Sequence, residues 1–291
     1  MTSSLSGFLF GFVAALLLWR GLSDMFGRPV FQRVNYRGAP IATSAGLVVT
    51  VAVFFAAALI GLIEALGLGR YWPGLVPLLS TSLLAAGFGM LGLLDDLAVD
   101  EGSSGFRGHI RALLRGRLTA GSLKMLAGPA VALVVVQSSA QGSLVKLLLH
   151  GAIVALAANV ANLFDRAPGR VTKVASLALL ALTVATALPY LRGGPRLLPG
   201  LAGAFTMLGA AWGLLRAELR EELMLGDAGA NPLGAAVGLA VVFTQGPWVQ
   251  VGVLTVLLML NLLSEKVSFS KVIRETAPLR FLDDLGRRQR L

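Results

Sequence analysis

A run of twenty mainly apolar residues, Leu75 to Leu94, ends in two adjacent aspartates, Asp95 and Asp96. A run of that length can cross a bilayer as a helix, which satisfies its own backbone amides in lipid. The pair therefore stands at a membrane mouth. Two carboxylates there are costly to desolvate and add nothing to apolar packing. They also repel each other unless a divalent cation or a shared proton relieves them. The first expectation is an acidic, Mg²⁺-suited site at one bilayer face.

Of the 291 residues, 56% are hydrophobic and only 14% are charged. Soluble domains carry about a quarter charged residues, so the chain reads as an integral membrane protein. Nine spans are predicted, at 5–19, 46–66, 75–94, 123–137, 144–164, 171–189, 198–215, 230–245 and 247–263. The fold class is an all-α polytopic bundle of about nine to ten transmembrane helices, its active-site loops cytoplasmic. Residues 1–263 form that domain, and 264–291 form a basic cytoplasmic tail. A signal peptide over 1–19 is the weaker alternative, because the basic residues follow the apolar run and no A-x-A-like site is evident. There is no cysteine, which removes disulfides and thiolate ligands.

The net charge of +10 does not indicate nucleic acid once the charges are placed. With alternating connections, 21 of the 25 Lys and Arg residues fall on one face, leaving Arg70, Lys146, Arg192 and Arg196 on the other. The positive-inside rule makes the rich face cytoplasmic, with the N-terminus outside and the C-terminus inside. All acidic residues except Glu64 share that face. The rule does not require this, so the cytoplasmic face is where chemistry is expected.

Three motifs converge there. Gly92-Leu-Leu-Asp95-Asp96 leaves the third span, and a carboxylate pair suits a metal-bridged phosphate. Asn159-Val-Ala-Asn162-Leu-Phe-Asp165 closes the fifth, its polar residues spaced by three so that all could face one site. The same amides could instead join helices. Leu225-Gly226-Asp227-Ala-Gly229 precedes the eighth, where small residues let backbone approach a ligand; an N-cap aspartate would look similar. Arg107, Arg111, Arg115 and Arg117, with Lys124, add cations for a diphosphate; His109 in the same loop reads either as a phosphate neighbour or, the weightier alternative, as a solvated loop residue.

This set resembles the polyprenyl-phosphate hexose-1-phosphate transferases, the family that begins peptidoglycan, teichoic-acid and O-antigen lipid intermediates. Asn35-Tyr-Arg37-Gly38-Ala-Pro40 with Gly46-Leu47 looks like the family's first cytoplasmic loop. Asp95-Asp96 match its paired aspartates, and Thr119-Ala-Gly121-Ser-Leu-Lys124 its basic fourth-span entry. Asn162-Leu-Phe-Asp165 and Gly226-Asp227-Ala-Gly229 resemble its Asn-Leu-x-Asp and Gly-Asp-x-Gly segments. The resemblance implies transfer of a sugar-1-phosphate, of N-acetylated hexosamine type, from a UDP-sugar to undecaprenyl or another polyprenyl phosphate, with UMP released. It implies Mg²⁺, or Mn²⁺ in its place, on Asp227 and Asp95; catalytic roles for Asp95, Asp96 and Asp165; and substrate contacts from Asn159, Asn162, Lys124, Arg37, Arg107 and His109. Partners would be the lipid, the nucleotide sugar, the membrane and a second copy in a homodimer, with no nucleic acid.

The chain departs from the family pattern in four ways. Pro168 stands where another aspartate is usual, three residues beyond Asp165. The tail has no histidine where many members carry a His/Arg-rich loop. Ala42 and Ala45 replace a usual proline and glycine, and the spans number nine against the usual ten. A non-catalytic relative that binds polyprenyl lipid or nucleotide is the second reading. A UbiA-type prenyltransferase is the third, since Asp95-Asp96-Leu-Ala-Val-Asp100 only loosely fits its diphosphate motif. His150, inside the fifth span, is expected to pack by hydrogen bonding. The tail is expected either to lie on the anionic inner leaflet, divided at Pro278, or to be disordered.

Overall fold

The computed structural model describes residues 2–35, 38–68, 72–98, 108, 111, 113–116 and 119–287. The long helices are α1 (Thr2–Phe26), α2 (Leu47–Ala65), α3 (Leu75–Leu97), α4 (Ala120–Ala140), α5 (Leu144–Phe164), α6 (Arg170–Leu191), α7 (Ala202–Leu219), α8 (Asp227–Thr244) and α9 (Pro247–Ser264). Two short ones, α10 (Phe269–Glu275) and α11 (Ala277–Asp284), follow. Among the described residues, eight helices are long and apolar enough to cross a membrane, as a multi-pass membrane protein requires. The helix expected at 230–245 is present as α8 but is not among those eight. Asp227, Asn231 and Pro232 begin it, and it is buried almost throughout. Its solvent is other helices rather than lipid.

The chain's own stop signals set these boundaries. Thr119 and Ser122 form a reciprocal capping box, each hydroxyl accepting from the other's backbone N–H, which starts α4 and places Lys124 within its first two turns. Ser143 caps α5. Gly226, at φ +65°, turns the chain into α8.

The centre of the bundle is α7 and α8. The span that ends with α7 is 72% buried, whereas α9 is only 6% buried and lies on the outside against α5. Small residues allow the close crossings: at Gly92, an added Cβ would sit 2.2 Å from the carbonyl oxygen of Asp227, so α3 and α8 touch through backbone there. That crossing sets the end of α3 beside the start of α8.

One element lies outside the all-α expectation. Between α1 and α2, β1 (Gln32–Val34) pairs antiparallel with β2 (Pro40–Ala42), in register Gln32 to Ala42. Ala42 also bridges Leu223, and its carbonyl accepts from the N–H of Met224 at 2.8 Å. The ribbon thereby ties the first loop to the segment leading into α8. Strands of three residues are too short to register as a sequence pattern.

Candidate functional site

At one end of the bundle, the C-terminal ends of α3, α5 and α7 meet the N-terminal ends of α4 and α8. All but α4 border a cavity of about 520 Å³, lined by Asp95, Asp96, Asn162, Asp165, Glu218 and Asp227, with Pro168 and Gly226 among the other wall residues. The three sequence motifs thus arrive in one place from three helices.

Lys124 links two of them. Its Nζ donates to Asp95 Oδ2 at 3.2 Å and also to Asp227 Oδ2, so one ammonium joins carboxylates from α3 and α8. Asn162 Nδ2 donates to the same Asp227 oxygen at 3.2 Å. The paired aspartates differ in role. Asp95 faces the cation, while Asp96 turns to the backbone, its Oδ1 accepting from Asp227 N–H at 2.9 Å and its Oδ2 from Ala228 N–H at 3.1 Å. Both Asp96 oxygens therefore cap α8, where helix N-termini favour negative charge. A Cβ on Gly226 would meet Asp96 Oδ2 at 2.6 Å, and the backbone there is left-handed. Glycine is required on both counts.

Asp165 caps the end of α5 on the cavity wall. Burial, reinforced by the negative charges of Asp227 and Asp96, pushes its carboxyl up to about 7, against a backbone hydrogen bond from Gly226 that acts the other way. A carboxyl at that value exchanges protons near neutrality.

Asn159 does not join this group. It is exposed and donates to Asn261 Oδ1 on α9 at 2.5 Å. Each three-residue step along a helix leaves about 60° of rotation uncompensated, so Asn162 and Asp165 reach the cavity while Asn159 turns away. There it forms the amide joint between helices that such a residue makes in lipid. His150 behaves as expected, placed between Ser139 Oγ at 2.8 Å and Gln250 Oε1 at 3.1 Å. Arg37, Arg107 and His109 lie outside the described residues.

Two features had no sequence signal. Glu218 is 1% exposed and lines the cavity; in the sequence it opens the charged run Glu218-Leu-Arg-Glu-Glu222, which reads as a solvated turn. The tail, for its part, docks. Arg170 donates from Nε and Nη2 to the two Asp283 oxygens, both at 2.8 Å, and from Nη1 to Ser270 Oγ at 2.9 Å. Arg287 adds a bond to Asp283 Oδ1 at 2.5 Å and one to the carbonyl of Pro168 at 3.2 Å. Burial raises the Asp283 carboxyl, but the Arg170 and Arg287 guanidiniums outweigh it and hold the group below the usual carboxylate range. Phe269 stacks on Phe164 at 5.5 Å. Helices α10 and α11 therefore brace the 164–170 segment, and Pro278, in the first turn of α11, divides them as expected.

Among the described residues, no three His, Cys, Asp or Glu side chains are arranged to hold a metal by themselves. Mg²⁺ does not need such a cage, since it takes one or two carboxylates, phosphate oxygens and water. Asp95 and Asp227, already converging on one cationic nitrogen, are a hard oxygen pair of that kind. Comparison with models of known families gives no match, and comparison with curated proteins gives none.

Proposed function

We propose that the chain is a Mg²⁺-dependent phosphoglycosyltransferase of the polyprenyl-phosphate hexose-1-phosphate transferase kind. It would work at the cytoplasmic face of a cell membrane, with the buried α8 crossing as a ninth span beside the eight apolar ones, which would put the N-terminus outside and the C-terminus inside. The observation that carries this reading is the bridge from Lys124 to Asp95 and Asp227. It joins two motifs 132 residues apart on one charge centre, at the mouth of a cavity between apolar helices. Such a place can serve a lipid from the bilayer and a nucleotide from water.

In the reaction, an oxygen of the polyprenyl phosphate attacks the sugar-bearing phosphorus of a UDP-sugar. The diphosphate P–O bond breaks, and UMP leaves with the electron pair. Asp95 and Asp227 would hold Mg²⁺, which when bound supplies charge neutralisation for the diphosphate. Lys124 sets a positive charge on the phosphate path, and Asn162 fixes the Asp227 carboxylate. Asp165, poised near neutrality, is suited to take a proton from a monoprotonated lipid phosphate. Asp96 serves by holding the start of α8, and thereby Asp227, in place.

A second reading, a non-catalytic relative that binds lipid or nucleotide, draws on Pro168 and on the same Lys124 bridge, which neutralises the carboxylates internally. Incubating the purified protein with Mg²⁺, polyprenyl phosphate and a panel of radiolabelled UDP-sugars separates the two. Labelled lipid supports the enzyme. Mg²⁺-dependent UDP-sugar binding without product supports the relative.

A further inference from the structure

Glu218 belongs to the cavity but not to the charge network around Lys124. The backbone N–H of Gly169 donates to its carboxyl group. Its Oε2 is fully buried and has no hydrogen-bond partner among the described residues. The cations nearest in effect are engaged elsewhere: Lys173 Nζ donates to the Asp283 carbonyl at 2.6 Å, and Arg287 to Asp283 and Pro168. A carboxyl oxygen withdrawn from water and left unpaired is costly, and packing gains nothing from it. On a cavity wall, that cost marks a position awaiting a donor from a ligand.

The wall falls into two chemically distinct sets. The amide of Asn162 and the Arg166 guanidinium on the lining, with Lys124 behind Asp95 and Asp227, offer donors that suit phosphate. Around Glu218 stand Asp165 and Glu221, which accept hydrogen bonds and repel phosphate. An uncharged, donor-rich portion of a ligand fits the second set: sugar or ribose hydroxyls, or an amide N–H.

We propose that Glu218 is a specificity-determining residue whose Oε2 accepts an O–H or N–H from the uncharged part of a bound nucleotide sugar. This rests on the reading of the cavity as a nucleotide-sugar site. A site built to accept a donor discriminates strongly against ligands that lack it.

The test is binding to the full-length protein in detergent with Mg²⁺, measured by equilibrium competition for UMP, UDP-N-acetylglucosamine, UDP-glucose and inorganic pyrophosphate. Glu218→Gln keeps the shape and turns a donor toward the cavity. It should weaken UDP-sugar binding at least tenfold and leave pyrophosphate unchanged. Glu218→Asp, which keeps the carboxyl group and withdraws the acceptor, should show the same selective loss if the Gln variant fails to fold. A loss shared by UMP assigns the contact to the nucleoside, and a loss confined to UDP-sugars assigns it to the sugar. Equal binding by wild type and variant, an equal loss on pyrophosphate, or no nucleotide binding by the wild type would each overturn the proposal. Absence of lipid product with selective binding loss intact would instead overturn the enzyme reading alone.

Discussion

Asp96 accepts a 2.9 Å hydrogen bond from the backbone N–H of Asp227, 131 residues further along the chain. One aspartate thus holds the helix start that presents another. Together with the Ala228 contact, it leaves Asp96 no free oxygen, so the adjacent Asp95 and Asp96 divide the work. Asp95 meets charge, and Asp96 fixes geometry.

That division predicts unequal stability effects. Asp96→Ala strands two partly buried N–H groups at the start of α8 and should cost about 1–3 kcal/mol. Asp95→Ala, at a partly exposed site where Lys124 keeps Asp227 as a partner, should cost under about 1 kcal/mol. Thermal unfolding of both variants in detergent decides this; equal losses would contradict it.

Lys124→Met leaves Asp95 and Asp227 facing each other without the ammonium. In EDTA the variant should unfold at lower temperature than wild type, by an amount on the order of 1–2 kcal/mol. Mg²⁺ should restore more stability to the variant than to wild type, because the cation takes up the vacated charge role. A Mg²⁺ response no larger than that of wild type would remove Asp95 and Asp227 as the metal pair.

Asp165 predicts a pH dependence. Its folded value of about 7 lies above the unfolded value of 3.8, so the native state binds the extra proton between them. Its contribution to stability is complete below about pH 4 and is lost as pH rises through 7. Asp165→Asn should therefore be more stable than wild type at pH 8, by an amount on the order of 1–2 kcal/mol after screening, and the two should converge near pH 4. If Asp165 accepts the lipid phosphate proton, the wild-type rate should rise through pH 7 and the variant should lose that limb. Unfolding midpoints and initial rates across pH 4–9 measure both.

Asp283→Asn breaks a buried pair and leaves Arg170 without its carboxylate, which should cost about 3–5 kcal/mol at pH 7. Because the Asp283 carboxyl is held below its ordinary value, the wild-type advantage persists above about pH 4 and fades as pH falls through the folded value. The variant should also expose the 264–287 segment to limited proteolysis; an unchanged cleavage pattern would mean the tail is held by other contacts.

Long apolar runs made the membrane helices legible, since lipid demands length and composition that sequence displays directly. The gathering of Asp95, Asp165 and Asp227 was legible too, because alternating topology forces span ends onto one face. What sequence did not show were pairings between distant segments. The Arg170–Asp283 lock spans 113 residues, and the β1–β2 ribbon uses three-residue strands. Asn159 misled because spacing by three drifts around a helix, carrying it from Asn162 toward Asn261. Glu218 was hidden for another reason: burial of one residue in a charged run depends on the turn that follows α7, which no local pattern encodes.

The most direct test is mass detection of the lipid product formed by the purified protein from polyprenyl phosphate, Mg²⁺ and a panel of UDP-sugars, with Asp95→Asn and Asp227→Asn run beside wild type. A phosphoglycosyltransferase with its metal pair at these residues gives a polyprenyl-diphosphate sugar from at least one donor, and each variant abolishes it. No product from any donor by folded wild type, or undiminished product from the two variants, would contradict that assignment.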